Sequence, residues 1–342
     1  MQVYKKFIIR LGITVVLLSF GVMLFNYIID PLWCFDHSYF SSLRQGKFNE
    51  RQQKSDLLVK HKNNYSILLL GSSRVTYIPS TLFGKNRAFN FAVNAMLPDE
   101  YVYYTDFFKK LNNVKPKIIV LGLDFFATNA NFKGYNYLQP SVYFENAENK
   151  FWRWTVLLSK DVLVYSIKNM LDTLHPNTID YYDRNAIKHA AYVPEKARLY
   201  FVEKDLNIYK SFNYADNYHY KNLKPLLREL IVHNPRSHFY VFTTPDSIEL
   251  WRLLVSQGLL KDYLKWLADI VQVFGGVYDF MGDTAFTSNT SNYMDANHFY
   301  PEVSKQLMDA LFSGRSGKYG TYIDQNNIQQ YTQNIVKKYM NK

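Results

Sequence analysis

A serine turn follows a short apolar run early in the chain, where residues 66–75 read SILLLGSSRV. An apolar run of this length that stops at a glycine is typical of a buried parallel strand. The hydroxyls after Gly71 would then lie at the edge of a sheet, and Ser73 is our candidate nucleophile. A serine attacks at neutral pH only when a base takes its proton, so the chain must also supply a histidine and an orienting carboxylate. In the alternative interpretation, Ser73 caps the following helix through its side-chain oxygen.

An Asp-x-x-His pattern near the end of the chain could supply both partners. Asp295 and His298 stand in a loop that leads into a predicted helix beginning at Pro301. A fixed carboxylate sets the imidazole tautomer and leaves the other ring nitrogen free for the serine proton. Asp216 and His219 have the same spacing and also precede a predicted helix, so they are an alternative pair.

The composition bounds the class of protein and the kinds of site. The chain has 342 residues, of which 48% are hydrophobic, and this fits one sizeable domain or one domain with a large insertion. Its single cysteine, Cys34, cannot form an internal disulfide, and no cysteine or histidine cluster has metal-ligand spacing. A glycine-rich phosphate loop is also missing. We therefore expect neither a metal nor a cofactor.

The N-terminus predicts a membrane anchor. Residues 11–29 carry no charge, and nineteen residues at about 1.5 Å each cross roughly the hydrocarbon core of a bilayer. Three basic residues precede the segment and acidic residues follow it, which predicts a cytoplasmic N-terminus and places everything from residue 30 outside. A cleaved signal peptide is the alternative, but no small-x-small cleavage site follows the run.

The charge of the chain indicates which partners to expect. A formal net charge of +11 favours anionic lipid headgroups or an acidic polymer. Nucleic acid is not an expected partner, because a domain held outside the membrane does not normally meet it. Aromatic residues make up 17% of the chain and could offer rings to sugars, although ordinary core packing is the simpler explanation.

Strands alternating with helices predict an α/β fold with a parallel sheet of about five strands. The strand-length runs are residues 66–70, 87–94, 117–124, 238–243 and 277–280. The predicted organisation is a cytoplasmic N-terminus (1–10), a transmembrane anchor (11–29), a membrane-proximal stalk or leading helix (30–64), the α/β domain (65–314) with an insertion at about 128–217, and a C-terminal extension (315–342).

Other polar residues stand where the predicted strands end. Asn94 ends the second strand and Asp124 ends the third. Because parallel strands present their carboxyl ends at one edge, where ligands bind, we expect both residues near Ser73. Each could equally be a turn or cap residue. Arg74 is expected at the surface, where it could hold an anionic group of a substrate.

These residues resemble the SGNH (GDSL-type) hydrolase superfamily over roughly residues 65–312. The serine turn matches the first block, whose third position is the nucleophile, and the Asp-x-x-His pair ending at His298 matches the final block. The resemblance implies a flavodoxin-like, three-layer α/β fold and an oxyanion-hole N–H at the position of Ala95. It also implies an asparagine donor in the third block, where this chain has Leu123.

Within that superfamily, the chain is similar to membrane-anchored, extracytoplasmic proteins of alginate acetylation and of teichoic-acid D-alanylation. The similarity implies a bacterial cytoplasmic membrane protein with its domain in the periplasm or outside the cell. It also implies ester hydrolysis or acyl transfer on an envelope polysaccharide or a teichoic-acid-like polymer, often beside a multi-spanning membrane O-acyltransferase. Leu123 motivates an alternative, in which a catalytically impaired protein presents glycan or acyl donor to such a partner.

Overall fold

The structure is a computed structural model, and it describes residues 2–37, 39, 42–61, 65–84, 87–112, 114–132 and 137–340. The predicted boundary near residue 64 and the last two residues of the predicted C-terminal extension lie outside the described residues. The chain forms two compact units. Unit 1 comprises Met1–Lys62 and Leu138–Ala191, and unit 2 comprises Asn63–Tyr137 and Tyr192–Lys342.

The helices and strands are numbered in chain order. The strands are β1 (Ile67–Leu70), β2 (Ala88–Asn90), β3 (Ile118–Leu123), β4 (Asp180–Tyr182), β5 (Lys188–Ala190), β6 (His238–Thr243), β7 (Gly276–Asp279) and β8 (Thr321–Asp324). The α-helices are α1 (Gln2–Ile29), α2 (Glu50–Lys60), α3 (Ser73–Thr76), α4 (Tyr101–Leu111), α5 (Pro140–Glu148), α6 (Trp152–Thr155), α7 (Lys160–Leu174), α8 (Glu195–Ile208), α9 (Lys224–His233), α10 (Ile248–Ser256), α11 (Leu260–Phe274), α12 (Ser304–Ser313) and α13 (Ile328–Met340). A π-helix, Tyr209–Asn213, continues α8.

Unit 2 is built on a six-stranded sheet with the order β2-β1-β3-β6-β7-β8. Its first five strands pair in parallel, which confirms the predicted α/β class and the parallel sheet. Counted within this unit, their order is 2-1-3-4-5, one of the two common doubly wound orders. The sixth strand, β8, pairs antiparallel with β7. The predicted C-terminal extension therefore contributes an edge strand to the sheet, which its sequence did not indicate.

The centre of this sheet is apolar on both faces, as the uninterrupted runs predict. Leu68, Leu69 and Leu70 of β1 are fully buried, and so are the middle residues of β3. Buried parallel strands have this composition because helices or loops cover both of their faces. A backbone buried in this way has little freedom to move, so the residues that follow β1 start from a fixed point.

The turn after β1 requires a glycine. Gly71 has a φ of +147°, and a Cβ built on it would lie 2.4 Å from Val75 Cγ2 and 2.8 Å from the carbonyl oxygen of Gly122. The Asn90 side chain donates hydrogen bonds to the carbonyls of Val75 and Ile78, both at 2.9 Å, and holds the chain beyond α3. The turn is thus packed against the neighbouring strand and tied at its far end.

Unit 1 contains the residues predicted as a stalk or leading helix. The described part of residues 30–62 belongs to one compact unit with Leu138–Ala191 and includes α2. Most of α2 is buried although its sequence is polar, because its side chains bond to backbone: Gln53 Nε2 donates to Pro31 O at 2.9 Å. The polar composition of α2 suggested that the helix is exposed. Its side chains can be buried because they form hydrogen bonds with buried carbonyls. The predicted insertion at about 128–217 is likewise divided: its middle part, Leu138–Ala191, belongs to unit 1, and both of its ends belong to unit 2.

Helix α1 is long and apolar enough to cross a membrane by length and composition. It spans Gln2–Ile29, so it begins nine residues before the predicted anchor at residues 11–29. The helix continues through the basic residues that precede the apolar run, since lysine and arginine are good helix formers. Its orientation and compartment remain predictions.

We predict that Gly71→Ala lowers the free energy of unfolding by about 3 kcal/mol or more, because it adds a steric clash to an unfavourable φ. Denaturant unfolding of the purified protein measures this change. Gly258→Ala is the matched control, since Gly258 also has a positive φ of +75° but no atom lies within 4 Å of a Cβ built on it. That variant should lose only about 1–2 kcal/mol. Equal losses in the two variants would contradict the steric explanation.

Candidate active site

Ser73 lies at the start of α3, directly after the glycine turn. Its Oγ is 2.9 Å from Nε2 of His298. The capping role considered for Ser73 belongs to its neighbour, because Ser72 is the N-cap and its Oγ accepts the Arg74 N–H at 3.4 Å. The two adjacent hydroxyls are therefore used differently, and the second one faces the imidazole.

His298 is held by the carboxylate predicted from sequence. Asp295 Oδ2 lies 2.7 Å from His298 Nδ1, while Asp295 Oδ1 accepts the backbone N–H groups of Asn297 and His298 at 2.8 and 2.7 Å. Burial raises the pKa of Asp295, but the His298 charge and these hydrogen bonds outweigh it and bring the pKa below its usual range. The carboxylate is therefore ionised when it orients the ring.

The structure selects one of the two Asp-x-x-His pairs. Asp216 and His219 are both exposed, and Ser73 contacts His298 instead. The structure therefore pairs Ser73 with the histidine of the first pattern. His219 lies instead against the segment that follows β3, where its carbonyl accepts the Ala130 N–H at 2.8 Å.

A cavity of about 150 Å³ opens beside the serine and histidine. Five parts of the chain build it: the serine turn, the loop after β2, the segment after β3, helix α8 with the π-helix that continues it, and the histidine loop. Its lining residues are Ser73, Arg74, Asn94, Ala95, Phe126, Phe132, Asp205, Ile208, Tyr209, Asn213, Asn297 and His298. The predicted residues Ser73, His298, Arg74, Asn94 and Ala95 thus meet at one place.

The loop after β2 lies directly against the serine turn. Val93 N–H donates to the carbonyl of Gly71 at 3.2 Å, and two residues later Ala95 lines the cavity with a φ of +48°. An alanine in this left-handed conformation costs roughly 1–2 kcal/mol, so the surrounding contacts must hold it there. Asn94 is exposed, and its Nδ2 donates to Tyr137 Oη at 3.1 Å.

The expectation that Arg74 lies at the surface is wrong, because only 2% of the surface of this residue is exposed. Its guanidinium donates to Asp124 and lies 2.8 Å from Asp246 Oδ1, and it also donates to the Tyr209 hydroxyl. Asp124 additionally accepts a hydrogen bond from Thr244. Two carboxylates neutralise this arginine, so its charge is used inside the protein although the residue borders the cavity.

Several residues of the cavity were not predicted from the sequence. Asp205 and Tyr209 come from the segment predicted as an insertion, and no local pattern marks either of them. Asn297 stands inside the Asp-x-x-His pattern, and this position could have pointed to it. Asp205 Oδ2 accepts the Ala296 N–H at 3.2 Å, so Asp205 supports the loop that carries His298.

The carboxyl groups around the site differ in their pKa values. Burial, together with the charge of Asp295, raises the pKa of Asp205 to about 6. Burial raises the pKa of Asp246 to about 7, and the Arg74 charge offsets only part of this. Asp295 shifts the other way because it has a histidine and two N–H donors. A set of carboxyls with separated pKa values is typical of a functional site.

Comparison with other proteins adds no family to this geometry: no family model matches the chain, and no curated protein matches it significantly. Among the described residues, no group of three or more His, Cys, Asp or Glu side chains is placed to hold a metal ion. The chemistry is therefore derived from the residues of the cavity.

We predict that Asp205→Asn becomes progressively more stable than the wild type as pH rises from about 4 to about 7. The pKa of Asp205 is about 6 in the folded protein and near 3.9 in the unfolded chain, so protonated Asp205 stabilises the wild type at pH values below about 3.9. This stabilisation is lost as pH rises through about 6. The difference in unfolding free energy should grow by up to about 3 kcal/mol. Thermal or denaturant unfolding at several pH values measures it.

The matched control for Asp205 is Asp216→Asn, which changes an exposed carboxylate of the same unit. It shows how the loss of an exposed carboxylate by itself affects stability at each pH. A pH-independent difference for Asp205→Asn would contradict the assigned environment of that carboxyl.

We predict that Arg74→Met lowers the free energy of unfolding by about 3–5 kcal/mol, because it leaves two buried carboxylates without their cation. Arg198→Met is the control: Arg198 is also buried, but its partner Glu195 is 60% exposed and Glu249 is partly exposed. That variant should lose about 1 kcal/mol. Denaturant unfolding compares them, and a small loss for Arg74→Met would mean that its charge is free for another role.

Proposed function

We propose that this chain is a serine-dependent hydrolase or acyltransferase of the SGNH type that acts on ester bonds through an acyl-Ser73 intermediate. The contact between Ser73, His298 and Asp295 is the observation that carries the proposal. The doubly wound strand order of unit 2 supports the SGNH-like, three-layer fold implied by the resemblance.

In the first half of the reaction, His298 Nε2 takes the proton of Ser73 Oγ as the oxygen attacks the carbonyl carbon of the ester. The tetrahedral intermediate collapses, its carbon–oxygen bond to the alcohol breaks, and the imidazolium returns the proton to the leaving oxygen. Asp295 holds Nδ1–H and stabilises the imidazolium while it exists. The product of this half is an acyl-serine and a free alcohol.

In the second half, an incoming hydroxyl loses its proton to His298 and attacks the acyl carbonyl, and Ser73 leaves with that proton. Water as the attacking group gives hydrolysis, and a sugar hydroxyl gives acyl transfer. In hydrolysis and in acyl transfer, the same groups act as in the first half of the reaction, in the reverse order. The N–H of Ala95 is the proposed oxyanion donor, and losing one donor in a comparable site costs about 10²- to 10³-fold in rate.

The proposed substrate is an acylated polysaccharide or a teichoic-acid-like polymer of a bacterial envelope. Three features support it: the anchor-like helix α1, the formal charge of +11, and the likeness to polymer-acylating proteins in the serine turn and anchor. We place the protein in the cytoplasmic membrane with a single span, its N-terminus inside and its catalytic domain outside. A multi-spanning O-acyltransferase is the proposed protein partner.

A second function rests on Leu123. This residue occupies the position of the third-block donor, is buried, and pairs in register with Thr243 of β6. A site without that donor could bind an acylated glycan without turning it over. In this case the protein would present glycan or acyl donor to its membrane partner.

The test is labelling of the purified protein with a fluorophosphonate probe, which reacts with a serine activated by a base. We expect labelling of the wild type, none of Ser73→Ala, and none of His298→Ala. Asp295→Asn should be labelled more slowly than the wild type, by a factor on the order of 10⁴ if the loss resembles that of a serine-protease triad.

Ser72→Ala is the matched control, since it removes the neighbouring hydroxyl that caps α3. It should retain labelling. Circular dichroism confirms that each variant is folded. Undiminished labelling of Ser73→Ala would exclude Ser73 as the nucleophile, and a folded but unlabelled wild type would favour the binding function.

A further inference from the structure

The last turns of α1 are covered by other residues of unit 1. Residues 2–18 are exposed all around, whereas from Val22 onward part of the helix surface is buried. Asn26 is fully buried, and its Nδ2 donates to the carbonyl of Leu157 at 2.8 Å. Met23 and Tyr27 pack on a cluster formed by Leu32, Cys34, Phe35, Leu157 and Val162. The C-terminal end of the helix is therefore part of the packed core of unit 1.

Residues 7–18, the stretch of the apolar run that is exposed at every position, are shorter than a bilayer is thick. If a span begins at Phe7, with Arg10 extending toward the headgroups, residues 7–18 supply about 18 Å of helix. The hydrocarbon core is about 30 Å thick. The remaining length comes from the turns after Leu18, which are partly covered from Val22 onward. The residues that cover those turns then lie at the depth of the membrane edge.

The covering segment, residues 150–160, presents apolar side chains outward. Phe151, Trp154 and Leu158 are 82%, 50% and 52% exposed, and we call these three residues the apolar patch. Trp154 is fixed to the anchor helix, since its ring stacks on Tyr27 with centroids 6.1 Å apart and planes at 11°. The patch is thus continuous with the surface of α1.

Within the covering segment the charges are all positive, and Glu148 and Asp161 lie just outside it. Residues 150–160 contain Lys150, Arg153 and Lys160 and no acidic residue. Exposed tryptophan and phenylalanine flanked by basic residues are typical of segments that lie in the membrane interface, where rings reach the acyl boundary and cations meet anionic headgroups. This composition and the continuity with α1 favour lipid over a protein partner.

We propose that the apolar patch inserts into the bilayer leaflet at the C-terminal end of α1, as a second membrane contact of unit 1. This inference rests on the proposed membrane anchor. The patch adds an interfacial contact to the spanning helix, and Trp154 joins the two. Unit 1 then contacts the lipid surface directly and is not held there by α1 alone.

The test measures depth in vesicles of phosphatidylcholine and phosphatidylglycerol that contain the full-length protein. Cys34→Ser, which keeps a donor at this buried position, removes the native thiol. Single cysteines introduced by Val16→Cys, Leu158→Cys or Leu138→Cys are then labelled with an environment-sensitive fluorophore. Quenching by lipids that carry a nitroxide near the headgroup or deep in the chain reports the depth of each label.

Val16 tests the anchor, Leu158 tests the patch, and Leu138 is the matched control. Leu138 is 59% exposed, similar to Leu158, but it precedes α5, whereas the patch follows that helix. We expect deep quenching at Val16 and shallow quenching at Leu158 that exceeds the quenching at Leu138 by about threefold or more. Aqueous iodide should quench most strongly at Leu138.

Three results would overturn the proposal, and they have different meanings. Deep quenching at Val16 with equal quenching at Leu158 and Leu138 would leave the anchor intact and reject the patch. A Leu158 label shielded from iodide but not quenched by lipid, in a protein that cross-links to itself, would assign the patch to a second copy. No lipid quenching at Val16 would reject the membrane anchor and the patch with it.

Discussion

The buried charge of Arg74 is the constraint on which the candidate site depends. An arginine removed from water must be paired, and here it is paired with Asp124 after β3 and with Asp246 shortly after β6. Arg74 directly follows the nucleophile in sequence. The ion pairs therefore connect the ends of three adjacent strands, and the hydroxyl of Tyr209 extends the network to the π-helix. This network fixes the residue next to Ser73, whose Oγ contacts His298.

Burial and local hydrogen bonding give the carboxyl groups around this site different pKa values. Asp295 has a histidine and two N–H donors, so its ionised form is favoured and it can orient the imidazole. Asp205 lies beside that negative charge in a poorly hydrated place, and its pKa rises to about 6. The same residue type therefore supplies an ionised orienting group and a group that titrates near neutral pH. Local hydrogen bonding decides which carboxyl has which role.

The two units differ in where they place buried polar residues. Unit 2 buries few polar side chains in the centre of its sheet and concentrates them at the carboxyl edge, where the cavity lies. In unit 1, α2 is mostly polar and still buried, because glutamine amides reach backbone carbonyls such as Pro31 O. Such burial is stable only when the buried polar groups find hydrogen-bond partners. A polar helix of this kind is stable within its unit and is not a free stalk.

The sequence by itself determined the features that depend on neighbouring residues. Uninterrupted apolar runs predicted the five parallel strands, the glycine before two serines predicted the turn, and charge-free residues 11–29 predicted the anchor-like part of α1. Side-chain periodicity and turn chemistry act over a few residues, so they can be read from a linear order. Only the tertiary structure decided between His298 and His219. It also placed Arg74 in the interior and brought Asp205 and Asp246 to the site. Burial and charge pairing depend on distances in space between residues far apart in the chain, and the linear order does not contain those distances.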